Sequence, residues 1–314
     1  MALDPLLKGF LDQMGAVPGP KMWELSAAEA RATFVGLMQL VGPKDVPIGK
    51  TENLNVPGPG GPMPVRIYSP VAAGSEPLPV LIYYHGGGFV IGDLDTHDGL
   101  CRMFANEAGC RVVAVNYRKA PEHKFPAAAD DAYAVLAYVE ANATRLGIDA
   151  NSIAVGGDSA GGNLAAVTAQ TAKEKGGPKL DLQLLLFPVT QIGGETSSLN
   201  EFAVGYFLER KGLEWFYANY VPTGVDKNDP KLSPLRAKDL SGLPAAYIML
   251  GGYDPLHDEG QQYADKLRAA GVPVTVADYP DMVHCFFYLQ TVLPQALEAV
   301  KKASAALKKA FVEY

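Results

Sequence analysis

Apolar positions along the chain fall into two regimes. Up to about residue 45 they recur at helical spacing, with Phe34, Leu37, Met38 and Val41 following Ser26-Ala27-Ala28-Glu29, a capping box that marks a helix start. No strand signal precedes them, so residues 1–45 read as a helical cap segment whose apolar face must rest on something else. The Pro/Gly-rich run 56–64 predicts a turn between two antiparallel strands, one ending near Val56 and one over about 65–68. From residue 78 the pattern changes to short, continuously apolar stretches at 78–84, 111–117, 152–156, 182–187, 245–250 and 272–278, separated by helix-length segments. Strands apolar on both faces, joined by helical crossovers, predict a buried, mostly parallel sheet with helices on both sides. Residues 46–314 thus form an α/β core of about eight strands. The long connection 190–240, carrying Tyr206, Phe207, Trp215, Phe216, Tyr217 and Tyr220, reads as an insertion that adds to the cap.

Composition narrows the function classes. A chain of 314 residues, 48% hydrophobic and 19% charged, is long enough to bury a sizeable core without a metal or disulfide. With 27 basic against 34 acidic side chains the net charge is −7 and no Lys/Arg stripe is present, which argues against nucleic-acid binding. The apolar runs are of strand length, so membrane insertion is not expected. The start, MALDPLLKGFLDQ, lacks a basic region and a small-residue cleavage site, so no secretory leader is expected. Cys101, Cys110 and Cys285 are odd in number and lack C-x-x-C spacing, so no disulfide framework, zinc cluster or other metal site is expected, and a reducing cytoplasm fits. The C-terminal helix, about 294–311, is a candidate homodimer surface.

Chemistry concentrates at strand ends. Gly157-Asp158-Ser159-Ala160-Gly161 follows the 152–156 strand and opens a helical stretch. G-x-S-x-G in that setting holds a serine on a sharp turn with its hydroxyl exposed. His85-Gly86-Gly87-Gly88-Phe89 ends the 78–84 strand, where glycines let backbone N–H groups face a substrate, as an oxyanion site requires. A dinucleotide fingerprint would need a glycine at Ile91, and no Walker lysine follows. A serine needs a base oriented by a carboxylate. His284 follows the last strand and its loop, 279–283, whereas His85 belongs to the glycine loop and His97, His123 and His257 read as surface or supporting groups. Asp254 follows the 245–250 strand, with Asp258 as its main rival and Asp278 and Asp281 behind. The order Ser159, Asp254, His284 is that of α/β-hydrolases.

The chain resembles the hormone-sensitive-lipase-like branch of α/β-hydrolases, which includes many bacterial carboxylesterases. The resemblance rests on His85-Gly86-Gly87-Gly88-Phe89, Tyr117-Arg118-Lys119-Ala120-Pro121-Glu122-His123-Lys124-Phe125-Pro126-Ala127, Gly157-Asp158-Ser159-Ala160-Gly161-Gly162-Asn163, Asp254-Pro255-Leu256-His257-Asp258-Glu259-Gly260 and His284. It implies a triad of Ser159, Asp254 and His284, an oxyanion hole from the N–H groups of Gly87, Gly88 and Ala160, hydrolysis of carboxylic esters with short to medium acyl chains through an acyl-enzyme, and no cofactor. It also implies that Arg118 and Glu122 are internal anchors. Lys119 stands where the family commonly has Leu, and Cys285 where it often has Gly.

Leu6, Phe10, Leu11, Phe34 and Met38, with Tyr206 and Phe207, are expected to supply part of a substrate pocket, or else to pack the cap on the core. Phe89, Phe187 and Cys285 are further pocket candidates, Phe187 because it ends a core strand. An amidase or peptidase would use the same triad, and a small-molecule receptor would use the same scaffold with the triad broken.

Overall fold

The computed structural model describes residues 2–313. Helix α1 (Pro5–Ala16) starts where the Asp4 carboxylate accepts the N–H groups of Leu6 and Leu7 at 2.8 and 3.1 Å. Helix α2 (Ala27–Val41) starts at the Ser26/Glu29 capping box that the sequence predicts. Strands β1 (Lys50–Gly58) and β2 (Gly61–Ser69) then form a hairpin. Both extend into the Pro/Gly run, pairing Val56 with Met63 and Gly58 with Gly61, so the turn shrinks to Pro59 and Gly60. Prolines fit there because β1 is an edge strand and Pro62 lies beyond the part of β2 that pairs with β4.

The rest alternates as predicted: β3 (Leu78–Tyr84), α3 (Asp98–Ala108), β4 (Arg111–Val115), α4 (Ala127–Ala141), α5 (Ala143–Leu146), β5 (Ile148–Asp158), α6 (Ala160–Lys175), β6 (Leu182–Leu186), α7 (Ser197–Glu201), α8 (Arg210–Tyr220), β7 (Ala245–Tyr253), α9 (His257–Ala269), β8 (Val274–Val283) and α10 (Pro294–Glu313). One sheet has the order β1-β2-β4-β3-β5-β6-β7-β8, antiparallel at β1/β2 and β2/β4 and parallel elsewhere. The central strands are buried on both faces, which explains their continuous apolar sequence.

Two strand ends differ from the sequence reading in a way that matters for the site. β7 runs on to Tyr253 and β8 to Val283, where the two pair again after a shift in register. Residues 279–283, expected as a loop, are therefore strand. β8 is the sheet edge and half exposed, so it lacks the unbroken apolar run that marks a buried strand. Asp254 and His284 consequently follow the last paired residues of adjacent strands directly.

The two outlying segments lie on the core and touch each other. Lys21 pairs with Glu209 at 3.6 Å, and Trp23 approaches Gly212 at the start of α8. Arg31 of α2 grips Glu122 at 2.6 Å and donates to the carbonyls of Val90 and Ala120. On α10, Ala296, Ala299, Val300, Ala303 and Leu307 are no more than 1% exposed. The apolar face of α10 therefore packs within the chain. Among the described residues no helix is long and apolar enough to cross a membrane.

Candidate active site

The ends of β3, β5, β7 and β8 deliver the glycine loop, Ser159, Asp254 and His284 to one edge of the sheet. Ser159 sits in the turn between β5 and α6 with φ 54° and ψ −116°. A non-glycine residue there costs about 1–3 kcal/mol, so its surroundings must impose it. The Ser159 N–H donates to the Leu186 carbonyl at 2.8 Å, and its own carbonyl accepts from Asn163 at 3.0 Å and Val189 at 3.1 Å. A side chain at Gly161 would collide with the Tyr84 carbonyl, and one at Gly157 with Gly161 and the same carbonyl. The G-x-S-x-G spacing is thus a steric requirement of the turn.

His284 Nδ1 donates to Asp254 Oδ2 at 2.7 Å, while Asp254 Oδ1 accepts the Leu256 N–H at 2.8 Å. Both side chains are buried. Phe187, in the left-handed region at φ 49°, lays its ring edge-on to the imidazole, with 5.7 Å between centroids, and stacks on Phe287 at 5.4 Å. Among the described residues no protein hydrogen bond engages His284 Nε2, and none joins it to the Ser159 hydroxyl. Such bonds are commonly loose in a free enzyme and tighten with substrate. The rival Asp258 accepts the Ser198 N–H at 2.9 Å and stands 3.2 Å from His257. Asp278 also faces His257, at 3.5 Å, and together these two carboxylates raise that imidazole to about 9, with Asp278 contributing most.

In the glycine loop Gly87 has φ 115° and Gly88 φ 57°, and a side chain on Gly88 would run into the Phe216 ring of α8. Among the described residues the N–H groups of Gly87, Gly88 and Ala160 donate to no protein acceptor. His85 has its Nδ1 2.8 Å from the Gly86 carbonyl and stacks on Tyr117 at 4.3 Å, while burial, Lys119 and His97 hold it well below its usual range. It is a neutral brace of the loop.

Other candidates are placed differently. Phe89 is fully buried, stacked on Tyr220 of α8 at 3.8 Å, and Met38 is buried on the inner face of α2. Phe34 packs near Tyr288 and His97, both at 6.4 Å between centroids, whereas Leu6 is 55% exposed. Tyr206 lies 5.4 Å from Phe202 and 5.2 Å from Tyr253, and Phe207 is partly buried at φ 63°. Cys285 adopts φ 52° and is buried, and burial, reinforced by Asp158 and Asp254, pushes its thiol well up and keeps it protonated. A cavity of about 520 Å³ lies between the insertion and α9, walled by Leu199, Leu213, Tyr217, Val221, Leu256 and Glu259 among others; none of the pocket candidates lines it. Arg118 is an internal anchor as the resemblance implies, forking onto buried Asp131 at 2.8 Å, whereas Glu122 is exposed and holds Arg31 at the surface, so it is not an internal one.

Two buried polar residues, Asp158 and Glu259, have roles the sequence did not reveal, and a third, His97, takes the supporting rather than the surface place it was offered. Asp158 is fully buried and accepts Tyr83 Oη at 2.5 Å, the Gly86 N–H at 3.1 Å and the Tyr288 hydroxyl. His97, read as surface or supporting, is 2% exposed beside it, because Tyr288 and Thr96 satisfy its two ring nitrogens at 2.7 and 2.9 Å. Glu259, read as part of a helix cap, is buried and accepts the Thr190 and Gln191 N–H groups at 2.7 and 3.3 Å, and burial raises it to about 8. The signal available for Asp158 was a charge inside an otherwise apolar strand end. Among the described residues no group of three or more His, Cys, Asp or Glu side chains is placed to hold a metal.

Known proteins fit this arrangement. The profile of a family described as alpha/beta hydrolase fold matches residues 81–288. The chain is 46% identical over 243 residues to carboxylic ester hydrolase LipN of Mycobacterium tuberculosis, a match that covers 76% of this chain and 64% of that one. It is 42% identical over 311 residues to esterase LipI of the same organism, covering 98% and 95%. Among solved structures, an alpha/beta hydrolase enzyme from the metagenome of Lake Arreo, Spain, superimposes with a TM-score of 0.96 at 40% identity, over 99% of both chains. The chain belongs to the α/β-hydrolase fold family, in its hormone-sensitive-lipase-like branch, and is a carboxylic ester hydrolase.

Proposed function

We propose that this hydrolase cleaves short to medium acyl-chain esters through an acyl-enzyme, with Ser159 as nucleophile, His284 as general base and Asp254 as its orienting carboxylate. The observation that carries the reading is the 2.7 Å bond from His284 to Asp254, at the same sheet edge as the strained Ser159 turn and the glycine loop. His284 Nε2 takes the hydroxyl proton as Ser159 Oγ attacks the ester carbonyl carbon. The carbonyl oxygen becomes an oxyanion held by the N–H groups of Gly87, Gly88 and Ala160. Asp254 fixes the Nδ1–H tautomer and favours the imidazolium. The bond to the alcohol oxygen then breaks as His284 hands it the proton. Water, deprotonated by the same imidazole, releases the carboxylic acid and restores Ser159.

The N-terminal segment and the insertion act as one lid in this reading, since they meet each other and the insertion lays Phe216 and Tyr220 on the glycine loop. A lidded site and a net charge of −7 suit small, uncharged esters, with no nucleic-acid partner. Three free, buried cysteines suit a reducing, cytoplasmic setting. A serine-directed fluorophosphonate should label Ser159 in the parent chain and not in Ser159→Ala. Turnover across esters of increasing acyl length should be greatest at short to medium chains and fall for long, aggregated ones; the opposite order makes the enzyme a lipase. An amide cleaved as fast as its matched ester points to an amidase, and absence of labelling to a receptor.

A further inference from the structure

Asp158 is a buried anion with a donor from each part of the site. Tyr83 comes from β3, just ahead of the glycine loop, and Gly86 lies within that loop immediately before Gly87. Tyr288 lies in the turn after His284, and His97 Nε2, from the start of α3, stands 3.5 Å away. Cys285 Sγ, next to the base, is 4.0 Å from the same carboxylate. Asp158 itself ends β5 and is followed by Ser159. Burial alone would raise this carboxyl, but His97, Tyr288 and Tyr83 hold it below its usual range. The crowding around Gly86 shows how tight the joint is, since a side chain there would collide with the Asp158 carboxylate.

We propose that Asp158 is a positioning residue for the reaction: its carboxylate fastens the oxyanion loop, the Ser159 turn and the loop behind His284 into one unit. It touches no substrate, and it acts by fixing where the Gly87 and Gly88 N–H groups stand relative to Ser159 Oγ. Preorganised donors stabilise an oxyanion only if they hold still, and a shift of about 1 Å costs around a hundredfold. The inference rests on the esterase reading above.

The test compares the parent with Asp158→Asn, Tyr288→Phe and Tyr83→Phe. Four readouts are needed: kcat and KM for a short-chain ester, Ki for a trifluoromethyl ketone, Ki for the product carboxylate and Tm. The ketone adds Ser159 Oγ to its carbonyl carbon and places an oxyanion among the loop amides, whereas the product carboxylate forms no such adduct. In Asp158→Asn, kcat should fall about a hundredfold with KM within about threefold. The ketone Ki should rise by the same factor while the product Ki stays put. Each Tyr→Phe change removes one bond and should lower kcat about five- to tenfold, with ketone affinity in parallel. Tyr288→Phe on the Asp158→Asn background should add less than its own single effect.

A folded Asp158→Asn that keeps kcat and ketone affinity within threefold overturns the proposal, as does a rise in KM alone. If Asp158→Asn does not fold, the tyrosine variants decide: parallel losses at unchanged Tm support it, and unchanged kcat overturns it. Phosphonate labelling of the parent separates the two levels, because an unlabelled parent refutes the esterase mechanism itself, whereas a labelled parent with indifferent variants refutes only the role of Asp158.

Discussion

Asp254–His284 and Asp158–His97 are both buried carboxylate–histidine pairs at the same edge of one sheet. In the first, nitrogen and oxygen stand 2.7 Å apart; in the second, 3.5 Å. The sharper difference is on the far side of each imidazole. His97 has Thr96 on Nδ1 and Tyr288 on Nε2, so neither nitrogen is available to a reacting group. His284 has Asp254 on Nδ1 and, among the described residues, no protein partner on Nε2. A general base needs a free basic nitrogen within reach of the proton it takes. A buried Asp–His pair therefore marks a catalytic base only when one nitrogen is left open toward the nucleophile; with both engaged it is scaffold.

The largest effect expected is loss of turnover in Ser159→Ala, by at least about 10⁴-fold at unchanged Tm, measured as ester hydrolysis against thermal unfolding. Asp254→Asn should cost about 10⁴-fold in kcat by favouring the wrong tautomer. His97→Gln, at the other pair, should cost only about tenfold; equal losses would erase the distinction drawn between the pairs. Next comes Gly88→Ala, which sets a side chain against Phe216 at φ 57° and displaces a donor proposed for the oxyanion. It should lower kcat by roughly 10²–10³-fold with little change in KM.

Glu259 sharpens the comparison from the side of stability, as a buried carboxyl bonded to backbone amides with no histidine. Its value in the folded state, about 8, lies above the ordinary one, so the folded state binds its proton more tightly than the unfolded state. That contribution is fully present at low pH, below the ordinary carboxyl value, and is lost as pH rises through about 8. Tm followed from pH 5 to 9 should fall less steeply in Glu259→Gln than in the parent. The smallest effect belongs to Cys285→Gly. Relief of a left-handed residue, about 1–2 kcal/mol, is offset by the greater freedom of glycine in the unfolded chain, about 0.5–1 kcal/mol, and by the void left beside Asp158. Stability measured by urea unfolding should therefore change by no more than about 1 kcal/mol.

Most of the fold was legible because a parallel sheet buries its strands on both faces and writes them as apolar runs. What the pattern missed were strand ends, both in central β5, which spans Ile148–Asp158 where only 152–156 reads as apolar because Asp149, Asn151 and Gly157 interrupt the run, and at the periphery. Residues 279–283 hold a proline and an aspartate on the edge strand and turn buried only at Met282 and Val283, and 56–58 carry a proline and a glycine on the other edge strand. The triad candidates were legible because each follows a strand that had been read. The pocket candidates were less so, since an aromatic residue gives no sign of which neighbour it will meet: Phe89 went to Tyr220, and Phe187 to the imidazole of His284.

By itself the sequence determined the alternation of strands and helices, the sharp turns its glycines permit, and the order Ser159, Asp254, His284 of the proposed triad. These are consequences of local periodicity and local sterics, which the chain carries wherever it goes. Tertiary structure decided which histidine is open and which is locked, that Asp158 and Glu259 are buried, and that the apolar face of α10 is already covered. Each of these depends on groups that stand far apart in the chain, as Tyr288 does from Asp158 and Thr190 from Glu259, and meet only when the strand ends are brought to one edge.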